Sequence, residues 1–361
     1  MKIAASDTAP LPREVSFVDL LAGRFPRSPN QLNARHEADA ELIRIPGSET
    51  TLAITTDAIA EEIDTGLYDD PYLIGWMTVT VNASDLAAVG AEPLGILVNE
   101  TLPYDSSQEF CAALQRGVGD ASRSMGLPVL GGDTNRSSHL HMGATALGIV
   151  PDGRPVTRRG TSPGHVLFAT APVGQGTAFA LLQLRGSDGL AGTAAPSTVF
   201  RPRGRLAEGA VVRGFASACM DSSDGVLTTL DELMRLNGVG FELDASVNAI
   251  LDPWALAVSA HSGLPAWMML AGPHGEFELL FTVPENEADP FLDAAANIDW
   301  RPVRIGRATE DRDLRLDVGG RNTTLDTTVV RNLFDEVGGD VNAYRDGLFD
   351  LDARLREGGA G

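Results

Sequence analysis

The chain has 361 residues and a formal net charge of −21, from 49 Asp and Glu against 28 Lys and Arg. Lys2 is its one lysine, which excludes a lysine-bearing phosphate loop, the strand lysine of a protein kinase and Schiff-base catalysis. So acidic a balance also argues against nucleic acid as a partner, because counterion release needs a basic surface.

The length exceeds what one core usually supports and predicts two domains, at residues 1–150 and 151–334, followed by an acidic tail over 335–361. The first fifteen residues carry no apolar signal core, and no stretch approaches the roughly 20 apolar residues of a membrane span. Cys111 and Cys219 lie far apart among small or apolar residues, as thiols of a reducing compartment do, so the chain reads as cytoplasmic with no membrane partner.

In chain order, a short helical pattern at Val15–Leu21 precedes two strands, Glu41–Ile45 and Thr51–Thr55, joined by a turn at Pro46-Gly47. Trp76–Val89 reads as a helix stopped by Gly90 and Pro93, and Leu94–Asn99 as a strand. Ser106–Met125 is an amphipathic helix closed by Gly126, with strands at Pro128–Leu130 and His141–Val150 after it. The turn-rich Pro151–Pro155 marks the domain boundary. Beyond it come a strand at Val166–Thr170, a helix at Thr177–Leu184 and a long Gly/Ser/Pro-rich loop, Arg185–Gly204. Helices at Leu206–Ala218 and from about Asp224 to Gly238 follow, with strands at Gly240–Leu243 and Glu278–Val283 and one surface helix in the tail.

Several aspartates stand at predicted element ends, each beside small or hydroxyl residues: Asp57, Asp85, Asp133, and the pair Asp221 and Asp224, with Asp39 as a further member. Asp57 and Asp133 would end strands, and Asp221 and Asp224 would open a helix. Clustered carboxylates suit a hard cation such as Mg2+, which in turn bridges to phosphate oxygens. Taken singly, each motif is also an ordinary turn or helix cap.

Other patterns read as structure. Gly160-Thr-Ser-Pro-Gly164 precedes a strand, whereas a nucleophile elbow follows one. Gly174-Gln-Gly176 offers amides for a phosphate but fits a tight strand–helix turn better. His139 and His141 lack further metal-ligating neighbours, and Arg201, Arg203 and Arg205 would pair with carboxylates.

Read in order, Thr55-Thr-Asp57, the run from Val81 to Pro93, Gly131-Gly-Asp-Thr134, Asp221-Ser-Ser-Asp-Gly225 and Glu278–Val283 resemble thiamine-monophosphate kinases. These belong with aminoimidazole-ribonucleotide synthetase and selenophosphate synthetase. The resemblance implies an α/β (α+β) two-domain fold whose N-terminal mixed sheet pairs across a homodimer, and ATP bound without a P-loop. It implies Mg2+ ligands at Asp39, Asp57, Asp85, Asp133, Asp221 and Asp224, with Asp133 and Asp224 closest to catalysis. Thr56, Gly132, Asp133, Arg158 and Ser223 would meet ATP and its cations, and Asp64, Gly275 and Glu276 the small-molecule acceptor.

The departures gather on the acceptor side. The family's Gly-Asp-Asp reads Glu37-Ala38-Asp39, one carboxylate fewer. Its histidine after Thr-Thr-Asp is Asp64, and its Gly-Gly-Glu-Asp-Tyr-Glu reads Pro273-His-Gly-Glu-Phe-Glu278. The expected function is ATP- and Mg2+-dependent phosphoryl transfer to thiamine monophosphate. A repurposed enzyme acting on another small molecule is the first alternative, and a non-catalytic nucleotide-binding dimer the second.

Overall fold

A computed structural model describes residues 12–185, 199–244 and 246–357. Of the predicted Arg185–Gly204 loop, residues 186–198 lie outside the described residues, as do residues 358–361 of the tail.

After α1 (Arg13–Ala22), the first half forms β1 (Glu41–Arg44), β2 (Thr51–Ala58), α2 (Ala60–Asp64), α3 (Pro71–Ala88), β3 (Glu92–Pro103), α4 (Gln108–Met125), β4 (Val129–Ser137) and β5 (His141–Val150). Its sheet runs β1-β2-β5-β3-β4, antiparallel except between β3 and β4. Helix α3 starts at Pro71 under an Asp70 cap and is buried along nearly its whole length, as its continuous apolar and small-residue run requires. It packs closely on α4, where an added Cβ on Gly75 would lie 2.0 Å from the Leu114 carbonyl oxygen.

The second half contains β6 (Val166–Ala169), α5 (Gln175–Arg185), α6 (Leu206–Val212), β7 (Ala218–Asp221), α7 (Val226–Asn237), β8 (Gly240–Glu242), α8 (Val247–Ile250) and α9 (Pro253–Ser262). Then come β9 (Leu279–Val283), α10 (Ala288–Ala296), β10 (Val303–Thr309), β11 (Leu314–Val318), β12 (Arg321–Leu325), α11 (Thr327–Glu336) and α12 (Val341–Glu357). The seven strands run β12-β11-β8-β10-β6-β9-β7. One apolar core joins α3, α4 and the first sheet to Phe168, Phe281, Phe291 and Trp300 of the second half. A second core packs α5, α7, α9 and α12 around the second sheet.

Four expectations change. Asp133 lies in the middle of β4 rather than at a strand end. The helix from Leu206 stops at Val212, and Ala218–Asp221 is instead a fully buried edge strand paired with β9. Asp221 therefore ends a strand rather than opening a helix. A segment of four residues carries no periodicity to tell the two states apart. The tail helix is no loose surface element: Tyr344, Leu348 and Leu351 are buried in the second core, and the Trp267 indole donates to the Asp352 carboxylate at 2.8 Å.

Among the described residues no helix is long and apolar enough to cross a membrane. Both cysteines are free, Cys219 buried and Cys111 partly so.

Candidate functional site

The two halves meet along α3, and the carboxylates gather at that seam. Asp39 comes from the bend before β1, Asp85 from the last turn of α3 and Asp221 from the end of β7. One oxygen of each lies within 4.8 Å of the others.

Short-range hydrogen bonds fix this triad. The Thr55 hydroxyl donates to Asp85. The Ser84 hydroxyl donates to Asp221 at 2.6 Å, tying α3 to β7 across the seam, and the Ser223 hydroxyl donates to the other Asp221 oxygen at 2.8 Å. Arg158 donates to Asp39 Oδ1 at 3.0 Å, while Asp39 Oδ2 is buried and has no hydrogen-bond partner.

The electrostatics follow from that crowding. Burial, then the charge of Asp221, pushes Asp85 well above the usual carboxylate range. Burial and the charge of Asp39 raise Asp221 to about 6. Burial would lower the Arg158 guanidinium, but Asp39 beside it outweighs this and holds it firmly protonated. Three hard oxygen donors with an orphaned buried oxygen among them suit a divalent cation, which would relieve the repulsion that the fold otherwise carries.

The other expected ligands divide. Asp57 is the penultimate residue of β2, accepts a hydrogen bond from the Ala58 amide at 3.1 Å and is raised by burial. It lies on the triad's side of the sheet, since its own amide donates to Asn82 on α3. Asp224 is exposed in the turn between β7 and α7, outside the triad. Asp133 is not brought there within one chain. Ala58, Gly143, Asn99 and Asp133 are aligned across four strands, so Asp133 stands three spacings, about 14 Å, from the end of β2. Its side chain shares the face of Ala58, opposite to that of Asp57, and accepts from Asn135 at 2.7 Å.

The same alternation puts the neighbouring threonines on opposite faces. Thr56 points away from the triad, bonded to the Ala144 carbonyl and to Thr145, and Thr55 is the residue that reaches Asp85. Period-two spacing already pairs Thr55 with Asp57, which was the available signal for Thr55. Ser84 had none, because its partner is 137 residues away. Gly132 lets β4 approach β3, since a Cβ there would sit 1.8 Å from the Val98 oxygen.

On the acceptor side, Asp64 ends α2 exposed to solvent. Gly275 donates its amide to the Ser223 carbonyl at 2.8 Å, so it presses against the turn that carries Asp221. Glu276 is buried, and one of its oxygens accepts the Gly174 and Gly176 amides at 3.0 and 3.1 Å. Those amides, a candidate phosphate cradle in the sequence, are thus satisfied internally. Burial raises Glu276 to about 8. His274, buried beside it, takes a 2.6 Å hydrogen bond with the Tyr68 hydroxyl at Nε2 and is lowered to about 4 by burial. Arg205 binds the neighbouring Glu278 through two guanidinium nitrogens and also contacts Glu208.

Residues 37–150 match the family model "AIR synthase related protein, N-terminal domain". Thiamine-monophosphate kinase of Escherichia coli strain K12 is 31% identical over 276 residues, covering 76% of this chain and 83% of the relative. The crystal structure of tt0281 from Thermus thermophilus superposes with a TM-score of 0.71 at 27% identity, over 83% of this chain and 95% of that one. AaThiL complexed with AMPPCP and TMP shares the fold, with a TM-score of 0.69 at 22% identity over 88% of this chain and 97% of that one.

Proposed function

The chain belongs to the thiamine-monophosphate kinase family, and on that premise we propose that it transfers the terminal phosphoryl group of ATP to a small molecule at the Asp39–Asp85–Asp221 centre. The observation that carries this reading is the triad itself, three carboxylates within 4.8 Å of one another around the buried, unpartnered Asp39 Oδ2. The donor reading draws on the relatives' kinase name and on the AMPPCP held by the AaThiL structure.

Asp39, Asp85 and Asp221, with Asp57 at the edge, would hold Mg2+. Bound there, Mg2+ would neutralise phosphate charge in the transfer. The protein's own contribution is positioning. Thr55, Ser84 and Ser223 hold the carboxylates in one orientation, and Arg158 anchors Asp39 through its guanidinium. A homodimer fits the open edge strand β4, on which Asp133 lies beside the exposed Val129 and Leu130.

Thiamine monophosphate is the first acceptor to test, by incubation with ATP and Mg2+ and assay for thiamine diphosphate; no product removes that acceptor. Calorimetry with ATP and Mg2+ on wild type and Asp221→Asn tests the donor side. Absence of binding by the wild type would leave only a non-catalytic dimer. A second reading keeps ATP and changes the acceptor. It is favoured by Glu276, one oxygen of which accepts the first amides of α5, and by Asp64, where the family carries histidine.

A further inference from the structure

Asp39 lies in irregular backbone over residues 34–40, where no helix or strand ladder fixes it. Within that stretch His36 turns the chain at φ 63°, a left-handed conformation that costs a non-glycine residue energy and needs outside support. Asp221, by contrast, ends a strand paired with β9. Oxygens of the two nonetheless lie within 4.8 Å of each other, so the bend must be registered against β7.

Segment 157–161 supplies that register. The Cys219 amide of β7 donates to the Thr157 carbonyl at 2.9 Å. Asn237, the last residue of α7, donates to the Arg158 carbonyl at 2.8 Å and accepts the Gly160 and Thr161 amides at 2.8 and 3.1 Å. The Arg159 guanidinium donates to the Leu236 carbonyl at 2.9 Å, where a cation suits the end of a helix. The segment is thereby fastened to β7 and α7, the elements on either side of the Asp221 turn.

Besides the Arg158 guanidinium, two groups reach from it to the bend. The Arg158 amide donates to the Glu37 carbonyl at 2.8 Å, and Arg159 Nε lies 2.6 Å from Glu37 Oε1. Glu37 Oε2 accepts the Ala34 amide at 2.7 Å, closing the turn that contains His36. Both Glu37 oxygens are thus engaged. With Ala38 beside it, Asp39 is the residue of this bend left to meet a cation.

We infer that Glu37 and Arg159 form a clamp that positions Asp39 against Asp221, so that the cation affinity of the centre depends on two residues that are not themselves ligands. The inference rests on the reading above, in which this centre holds a divalent cation. The Arg159 side chain is 53% exposed, and so open an ion pair contributes little to stability. Its effect should therefore appear in binding rather than in unfolding.

Calorimetry with Mn2+ on the full chain separates a clamp from simple charge. Removing a cation near three carboxylates would by itself tighten Mn2+ binding, whereas losing the clamp weakens it. Arg159→Ala should bind Mn2+ about tenfold more weakly, the lower end of the range for groups that orient metal ligands. Its Tm should stay within about 3 °C of the wild type. Glu37→Gln keeps an oxygen for the Ala34 amide and should lose a similar factor. The double variant should bind no more weakly than either single one, as expected of one interacting unit. Equal or tighter Mn2+ binding in Arg159→Ala, or losses that multiply in the double variant, overturns the inference and leaves the metal reading in place. A wild type that binds no Mn2+ overturns both.

Discussion

The donor and acceptor ends of this site are built in opposite ways. At the donor end, three carboxylates from remote parts of the chain are forced together and held by hydroxyls, with one buried oxygen left unsatisfied. Around Glu276, one carboxylate oxygen accepts two backbone amides while the other, like Nδ1 of the neutral His274, is buried without a hydrogen-bond partner. Crowding of carboxylates against one another thus concentrates where a polyphosphate and its cation would arrive, whereas around Glu276 and His274 the cost is mainly the burial of single groups. A conflict between stability and cation binding is expected at the first end, where the crowded carboxylates would be the ligands.

The sharpest test of that contrast is Asp85→Asn. Removing one of three converging oxygens should lower phosphoryl-transfer kcat by about 100-fold or more. The same change should stabilise the metal-free protein at pH 8, because it deletes a buried charge facing Asp221 and Asp57. A gain of roughly 1 kcal/mol would raise Tm by a few degrees. A metal-free Tm that falls would show that the triad is not a site of stored repulsion.

Gly275→Ala probes the joint between the two ends. A Cβ there would stand 1.4 Å from the Ser222 carbonyl oxygen and 3.0 Å from the Gly225 amide nitrogen, both backbone atoms of the turn after Asp221. Neither can swing aside, so the turn must move, at a cost of about 3 kcal/mol. Urea unfolding should show that loss, and calorimetry with Mn2+ should show weaker cation binding because Asp221 moves with the turn. Unchanged stability would mean that this close approach constrains nothing.

How much of this was legible in the sequence depended on the distance over which each signal acts. The strands around Thr51 and His141 and the helices ending at Gly90, Gly126 and Gly238 were readable, because periodicity and caps are local. Strand β7 was not, since Ala218–Asp221 owes its state to pairing with β9, about 60 residues later. The tail looked acidic and loose because the buried stripe of Tyr344, Leu348 and Leu351 is narrow and its partner, the Trp267 region, lies elsewhere. In the site, Asp39, Asp85 and Asp221 could be singled out one by one, but no residue spacing tells which of six aspartates converge. Glu276 is an expected substrate contact, and only the fold shows that one of its oxygens also lies under the first amides of α5.

Glu276 also gives the mildest test, because it sits at the acceptor end yet should behave as scaffold. Its ordinary value of 4.5 is raised to about 8, so between those limits the folded chain keeps a proton that the unfolded chain has lost. Stability contributed at this position is therefore whole below about pH 4.5, declines as pH rises and levels off above about 8. Glu276→Gln keeps an oxygen for the Gly174 and Gly176 amides and removes the titration. Urea unfolding at pH 5 and pH 8.5 should show the wild type losing stability relative to the variant on the alkaline side. Asp221, raised to about 6, titrates in both proteins and cancels in that difference. Cation binding should stay the same in both, since Glu276 is outside the triad. Parallel pH curves would mean that Glu276 folds in its ionised form, with the two amides stabilising its charge enough to offset burial.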